Sequence, residues 1–355
     1  MDRLTTIRIF YALMIALAPL AHRPRQKNAA GADDAGRDAL PANAFPKWAR
    51  ASLPALDSMP DVEAAVLAGA SLAALHAVVT SGQGEAPPFL GVLRARQALA
   101  AAARCAPAAR LREDDAALRD ALLLAAPGAA LSPAGRLHAL FRLFGAPRFG
   151  GDHGDVERAG ELLGLNGDMA GYAEIIRAHV AGAGEPLGRS TAAAQAIARQ
   201  AGADGARAET AELLALWAAD LVLAKRLGWD RPLALLALRV GERRDATGRR
   251  LRPGEAGWPS AALRAYALAA ADAHLAAIDL TRRASTLLAV LPKLRAKPAG
   301  RVVALLLADD GVTPAAAARA TGMSDRAARR LFDRLVELGG ARELTGRETF
   351  RIYGL

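Results

Sequence analysis

The chain has 355 residues and a formal net charge of +10; 52% of its residues are hydrophobic and 5% are aromatic. This length suffices for two domains or for one large domain with a smaller addition, and the single cysteine excludes an intrachain disulfide and a metal site built from several cysteines. Most apolar residues are Ala and Leu, which favour helices, whereas the residues that favour strands are scarce. The composition predicts an all-α body.

The positive charge alone is weak evidence for a polyanionic partner. Of the 46 basic residues 41 are arginine, and GC-rich coding also produces an Ala- and Arg-rich chain with few lysines. The distribution of the charge is more informative, because residues 45–296 carry a net charge of +5 and the much shorter segment 297–355 carries +3. The sequence therefore favours the C-terminal segment, residues 297–355, as the place of contact with nucleic acid.

Residues 1–44 are predicted to be a leader followed by a flexible linker. Arg3 and Arg8 precede the apolar run Ile9–Ala21, which resembles a signal peptide and is too short to span a membrane. Residues 22–44 are polar and lack periodicity. We favour two interpretations over a true signal peptide. The segment is either a disordered leader or a stretch translated from a start codon that is placed too far upstream. We therefore expect a cytoplasmic protein without stable membrane insertion.

Residues 45–296 are predicted to form one all-α domain of helices separated by Pro and Gly. No alternating strand pattern occurs in them. Ser132 and Pro133 form an N-cap followed by a proline at the first helical position. The predicted helices are Asp61–Val79, Leu90–Ala103, Leu111–Ala125, Ala134–Phe144, Asp155–Leu163, Ala170–Ala181, Ser190–Ala201, Glu209–Leu227 and Ser260–Leu291, the last as one helix or two.

No motif in this body predicts an enzyme, a bound metal or a cofactor. P-loop and G-x-G-x-x-G sequences are absent, and the six histidines lack metal-binding spacing. We interpret Glu113–Asp115 as the acidic first turn of a helix and Asp152–Asp155 as a solvated loop. Cys105 is read as a small buried hydrophobic residue. We interpret three tryptophans as packing residues: Trp217, Trp229 and Trp258. The histidines His138 and His274 are interpreted as packing residues or as surface residues.

A cluster of five arginines lies in the predicted loop Arg239–Pro259. Such a cluster can follow DNA phosphates, but a solvated, mobile loop is the favoured interpretation. Its members are Arg243, Arg244, Arg249, Arg250 and Arg252.

The C-terminal segment is predicted to be a small winged helix-turn-helix domain of three helices and a β-hairpin wing. Pro298–Asp309 is a short amphipathic helix, and a second helix begins at Thr313-Pro314 and runs through Thr321. Gly322–Ser324 forms a tight turn, and Ser324 caps the third helix, Asp325–Leu338. Two extended runs around Gly346-Arg347, at positions 342–345 and 348–353, predict the hairpin.

Helical periodicity predicts the DNA-binding residues. In the third helix Ala327, Ala328, Leu331, Leu335 and Leu338 should face the core, and the arginines should face outward. Arginine can pair with guanine or bind phosphate, the start of the helix can hold a phosphate, and the wing tip can reach the minor groove or the backbone. The predicted DNA-binding residues are Ser324, Arg326, Arg329, Arg330, Arg334 and Arg347.

Four stretches resemble a known family: Pro88–Arg96, Glu113–Leu124, Gly135–His138 and Ala327–Leu355. They are similar to the family called "domain of unknown function 1403", which is found in alphaproteobacteria, notably rhizobia. The resemblance runs from about Phe45 to the end of the chain, so residues 1–44 are expected to lie outside it. It implies membership of a family and no particular activity.

The favoured function is DNA binding through the winged helix, as a transcriptional regulator or a plasmid-associated factor. The helical body would then sense a partner or form a homo-oligomer. The alternative is a protein–protein adaptor, in which the winged helix holds a partner and the body is a scaffold. An enzyme is the least favoured class.

Overall fold

The computed structural model describes residues 45–50, 55–56, 58–80, 86–126, 128–165, 169–243 and 247–355. The predicted leader and linker, residues 1–44, lie outside this description. The described residues are mostly helical, which confirms the prediction of an all-α body. We number the helices α1–α13 and the strands β1 and β2 in chain order.

The helices of the body follow one another with short connections. Short 3₁₀ turns lie at Lys47–Ala49, Leu143–Gly145, Val240–Glu242 and Leu291–Lys293. The helices up to residue 296 are α1 Asp61–Val79, α2 Leu90–Cys105, α3 Asp115–Leu123, α4 Pro133–Arg142, α5 His153–Leu163, α6 Ala170–Ala181, α7 Pro186–Ala203, α8 Ala208–Arg226, α9 Leu236–Arg239 and α10 Trp258–Val290.

Capping residues explain where several helices begin. The carboxylate of Asp114 accepts a hydrogen bond from the backbone N–H of Ala117, so α3 begins later than the predicted Leu111. Glu185 caps α7 in the same way, with Pro186 at its first position. Asp152 caps α5 through the N–H of Asp155. The expected solvated loop at Asp152–Asp155 is therefore a capped helix start.

Helix α8 lies at the centre of the body. All residues from Ala211 to Ala224 are buried, including the carboxylates of Glu212 and Asp220. Trp217 within this run stacks on Phe144, with ring centroids 5.5 Å apart. Trp217 and Trp258 are fully buried and Trp229 nearly so, which confirms their reading as packing residues.

Helix α1 packs along α10. Ala64, Ala68 and Leu75 are buried in or near this contact, whereas Val62 and Val66 are exposed. Of the helices in the described part of the chain, α1 is the one whose length and composition would allow it to cross a membrane. In this fold it is a partly buried helix beside the long α10.

The C-terminal segment contains α11 Ala299–Ala308, α12 Pro314–Thr321 and α13 Asp325–Glu337, followed by β1 Arg342–Glu343 and β2 Tyr353–Gly354. The two strands are antiparallel, with Arg342 opposite Gly354. Val312, between α11 and α12, exchanges both backbone hydrogen bonds with Tyr353, at 2.8 and 2.9 Å. The predicted strands at 342–345 and 348–353 are too long, because most of residues 344–352 form a loop.

The C-terminal segment shares its core with the body. Buried residues of both belong to one hydrophobic cluster, with Val302 and Leu306 of α11 among them. A Cβ atom at Gly91 of α2 would lie 2.5 Å from the carbonyl oxygen of Ala308, so only glycine permits this approach of the two helices. Arg142 of α4 binds Asp309 through two hydrogen bonds of 2.6 and 2.7 Å.

Candidate nucleic-acid interface

Helix α13 begins at a well-formed turn. Gly322 ends α12 with φ +73°, a backbone conformation that favours glycine. The Ser324 hydroxyl then accepts a hydrogen bond from the N–H of Ala327 at 3.3 Å. Ser324 is thus the N-cap that the sequence predicts, and its hydroxyl hydrogen remains available to a phosphate at this helix start.

One face of α13 holds the helix in the core. Ala328, Leu331 and Leu335 are buried as predicted, whereas Ala327 and Leu338 are half-buried. Phe332 was not among the expected core positions, but it is fully buried and stacks on Tyr353, with ring centroids 4.5 Å apart. This stacking fixes the orientation of α13 against the strands.

The opposite face of α13 carries four exposed arginines, which we call the basic face: Arg326, Arg329, Arg330 and Arg334. Arg334 forms an ion pair with Glu337 at 2.9 Å. The other three have no ion-pair partner among the described residues. Arg326 lies three and four positions before Arg329 and Arg330, and like charges at these spacings destabilise a helix by about 0.2–0.5 kcal/mol per pair.

A second group of positive charges lies beside the basic face. Lys293, Arg295 and Lys297, which follow α10, are exposed. A groove of about 540 Å³ is lined by Lys293 and Arg295 on one side and by Arg330 and Arg334 on the other. The sequence interpretation missed these residues. Three basic residues in five after Pro292 were the available signal, but the side of the molecule that they face depends on tertiary packing.

The other side of α13 is different. A groove of about 610 Å³ contains Asp325, Asp333 and Glu348 together with Arg329 and other residues. Asp333 also lies 3.8 Å from Arg351. Arg330 and Arg334 therefore lie on the side of α13 that faces Lys293 and Arg295, whereas Arg329 lies on the side with the acidic residues.

The predicted wing tip is tied to the body. The carboxylate of Glu343 accepts hydrogen bonds from the backbone N–H groups of Thr345 and Gly346, at 2.7 and 2.6 Å, and so closes the loop. Arg347 forms an ion pair with Asp120 of α3 at 2.5 Å. The structure thus brings Ser324 and the four arginines of the basic face together on α13, whereas the guanidinium of Arg347 is held by the body.

The arginine cluster of the body is neutralised locally. Arg250 and Arg252 lie 2.7 and 3.6 Å from the buried Glu212, and Arg249 lies 3.0 Å from Glu255. Arg243 is buried, and Arg244 lies outside the described residues. The expectation of a solvated loop is wrong for Arg243, which is buried, and for Arg250, which pairs with Glu212, whereas the side chain of Arg249 is 71% exposed.

The two histidines and the cysteine that the sequence predicts as packing residues are buried in the body. The ring of His138 lies 3.1 Å from the carbonyl oxygen of Leu118, and burial lowers the pKa of this histidine to about 4. Cys105 is buried, as expected. His274 is also buried and packs against the ring of Phe45. Within the residues that the structure describes, no group of three or more His, Cys, Asp or Glu side chains is placed to hold a metal ion.

Comparison with known protein families gives a match over most of the chain. A family described as "Protein of unknown function (DUF1403)" matches residues 34–355. The match begins before Phe45, so the expectation that the family resemblance excludes all of residues 1–44 is wrong for residues 34–44. No curated protein matches the chain.

Proposed function

The chain belongs to the DUF1403 family of proteins of unknown function, and from the geometry of α13 we propose that it binds duplex DNA. In this proposal residues 297–355 are a winged helix-turn-helix domain and residues 45–296 an all-α domain that carries it. The role is that of a transcriptional regulator or plasmid-associated factor in the cytoplasm of an alphaproteobacterium, the source that the sequence resemblance implies.

The order of elements supports the winged-helix interpretation. Helix α11, the bridging residue Val312, helices α12 and α13, and strands β1 and β2 follow one another in the chain. Helices α12 and α13 are joined by the three-residue turn Gly322–Ser324, which is typical of a helix-turn-helix. In this arrangement α13 is the recognition helix and the loop between β1 and β2 is the wing.

The observation that carries the proposal is the set of three unpaired arginines on the basic face. Arg326, Arg329 and Arg330 project from a helix whose opposite side is buried, and a major groove admits an α-helix in that orientation. Lys293 and Arg295 would lie beside the same helix, where they could neutralise phosphates of the flanking backbone. Base contacts by arginine would favour guanine.

Binding of the full chain to a short labelled duplex tests the proposal, measured by fluorescence anisotropy between about 50 and about 200 mM salt. The wild-type affinity should fall steeply as salt increases, because phosphate contacts release counterions. The Arg326→Ala/Arg330→Ala variant should bind at least tenfold more weakly, since a bidentate base contact contributes about 1–3 kcal/mol. Unchanged binding by this variant would rule out the basic face as the interface.

A matched variant controls for the loss of two positive charges. Arg136→Ala/Arg199→Ala removes two exposed arginines from α4 and α7, which have no ion-pair partner among the described residues. Its DNA affinity should stay near that of the wild type. Both double variants should unfold at the wild-type urea concentration or slightly above it, which shows that any loss of binding is not a loss of fold.

A separate observation supports the adaptor alternative. Phe350 is 71% exposed and lines the groove beside Leu123, Leu124 and Pro314. An exposed aromatic residue in a groove that combines apolar and charged side chains suits a protein contact. Sedimentation of the pure protein and of Phe350→Ala measures whether this groove holds a second copy. A wild-type dimer that Phe350→Ala dissociates, without detectable DNA binding by either protein, would favour the adaptor.

A further inference from the structure

A cavity beside the first turns of α2 contains a guanidinium group that has no partner among the described residues. The cavity has a volume of about 430 Å³ and is lined by Arg94, Trp229 and the apolar side chains of Val79, Leu90 and Leu233. The Nε atom of Arg94 is buried and has no hydrogen-bond partner, and Arg94 forms no ion pair in the described part of the chain. A partly buried cation whose Nε has no partner costs stability.

The second arginine of the cavity, Arg231, already has hydrogen-bond partners within the protein. Arg231 donates hydrogen bonds to the carbonyl oxygens of Gly145, Ala146 and Pro147, at 2.9–3.2 Å. Its Nε lies 3.4 Å from the exposed carboxylate of Asp230. Arg231 therefore supplies a fixed positive charge, and the guanidinium of Arg94 remains as the donor group that a ligand can occupy.

Burial and the neighbouring charge of Arg231 lower the pKa of Arg94 to about 10. At neutral pH the group is still protonated, so the cavity contains a poorly solvated positive charge. An anion placed against Arg94 would relieve both the burial cost and the repulsion between the two arginines. Planar carboxylates fit the fork of a guanidinium through two parallel hydrogen bonds.

The remaining lining determines what the anion must carry. Among the described lining residues, two arginines and Asp230 give one net positive charge, which suits a monoanion better than a dianionic phosphate. The indole N–H of Trp229 already donates to Nδ1 of His76 at 3.0 Å, so this residue offers mainly its ring surface. A cavity of this size that combines apolar walls with a few polar groups is typical of small-molecule sites.

From these observations we propose that the cavity binds a small, mainly apolar organic acid, with its carboxylate on Arg94 and its apolar part between Trp229 and Leu90. This site belongs to the body and does not depend on DNA binding by the C-terminal segment. It gives the helical body a ligand-binding role.

Titration of the full chain with benzoate and with hexanoate, at constant ionic strength adjusted with chloride, tests the proposal. Tryptophan fluorescence reports binding and the melting temperature reports stabilisation. At least one acid should bind saturably, with a dissociation constant of about 1 mM or below. Arg94→Met should bind at least tenfold more weakly. It should also melt at a higher temperature than ligand-free wild type, because an unpaired buried charge is removed.

Two further variants keep the test decisive. Arg104→Met, on the exposed side of the same helix, should leave binding unchanged. Arg94→Lys keeps the cation but removes the fork, and it should bind several-fold more weakly even if Arg94→Met does not fold. The proposal would be overturned by the absence of saturable binding to both acids, by equal binding in the Arg94 variants, or by tighter binding of inorganic phosphate than of either acid.

Discussion

The arginines at positions 243–252 and those of α13 are both dense in the sequence, but they have different surroundings in the structure. In the body Arg250 and Arg252 face the buried Glu212. On α13 Arg326, Arg329 and Arg330 face solvent with no carboxylate in ion-pair distance in the described part of the chain. A cluster of arginines in sequence therefore does not identify an interface. The presence or absence of nearby carboxylates separates arginines that stabilise the fold from those available to a ligand.

The largest effect that this comparison predicts is on stability, at Arg142. Arg142 binds Asp309 and lies 3.4 Å from Asp310, and burial and the charge of Asp309 raise the pKa of Asp310 to about 6. Arg142→Ala leaves this acidic pair without its cation and should lower the free energy of unfolding by about 3–5 kcal/mol, as measured by urea denaturation.

Arg136, on the same helix, provides the control for this prediction. It is exposed, so Arg136→Ala should change stability by no more than about 0.5 kcal/mol. If both variants lost a similar free energy of unfolding, pairing with carboxylates would not decide which arginines of the body stabilise the fold.

The second prediction concerns a buried carboxylate of the body and depends on pH. Asp220 accepts hydrogen bonds from the N–H groups of Leu235 and Leu236 and lies 3.1 Å from the hydroxyl of Tyr266. Burial raises the pKa of Asp220 to about 7, above its unfolded value of about 3.9. The folded state therefore holds this proton more tightly, and the stability that the proton provides is lost as the pH rises between these two values.

Asp220→Asn cannot ionise, so its stability relative to the wild type should increase by about 2–3 kcal/mol between pH 5 and pH 8. Its amide oxygen can still accept from both backbone N–H groups, and its NH₂ can donate to Tyr266. Urea denaturation of both proteins at the two pH values measures this difference. An equal difference at pH 5 and pH 8 would show that Asp220 does not titrate in the folded state in this range.

The smallest predicted effect is on DNA affinity. It concerns Arg347 of the C-terminal segment, which forms an ion pair with the body. Asp120 of α3 holds Arg347, and both side chains are partly exposed, so the pair contributes at most about 1 kcal/mol. If Arg347 binds DNA, Asp120→Asn releases it and should raise affinity by up to about fivefold in the anisotropy assay. Asp115→Asn removes an exposed carboxylate from the same helix and should leave the affinity unchanged. Equal affinities of the wild type and Asp120→Asn would remove Arg347 from the interface.

Local signals allowed much of the fold to be predicted from the sequence. The N-caps Ser132, Thr313 and Ser324 mark helix starts through bonds that close within three residues, so their effect is visible in a short stretch of chain. The exposed arginines of α13 could be predicted for the same reason, because helical periodicity alone separates them from Leu331 and Leu335.

Features that depend on distant residues could not be predicted. The partner of Arg347 is 227 positions away in the chain, and the groove beside Arg330 requires the end of α10 to lie against α13. Arg94 resembles any other arginine of an Ala-rich helix, and only the packing of residues near positions 79 and 229 encloses it. The strands were predicted too long because an extended pattern in residues 344–352 is also compatible with a loop closed by Glu343.

The contact of Gly91 with Ala308 has a mechanical consequence. Helix α2 lines the cavity with Leu90 and Arg94 and, at Gly91, touches the backbone of α11 without any intervening side chain. A displacement of α2 towards α11 therefore cannot be absorbed by a change of rotamer. Such a displacement would press directly on the backbone of α11, the first helix of the C-terminal segment.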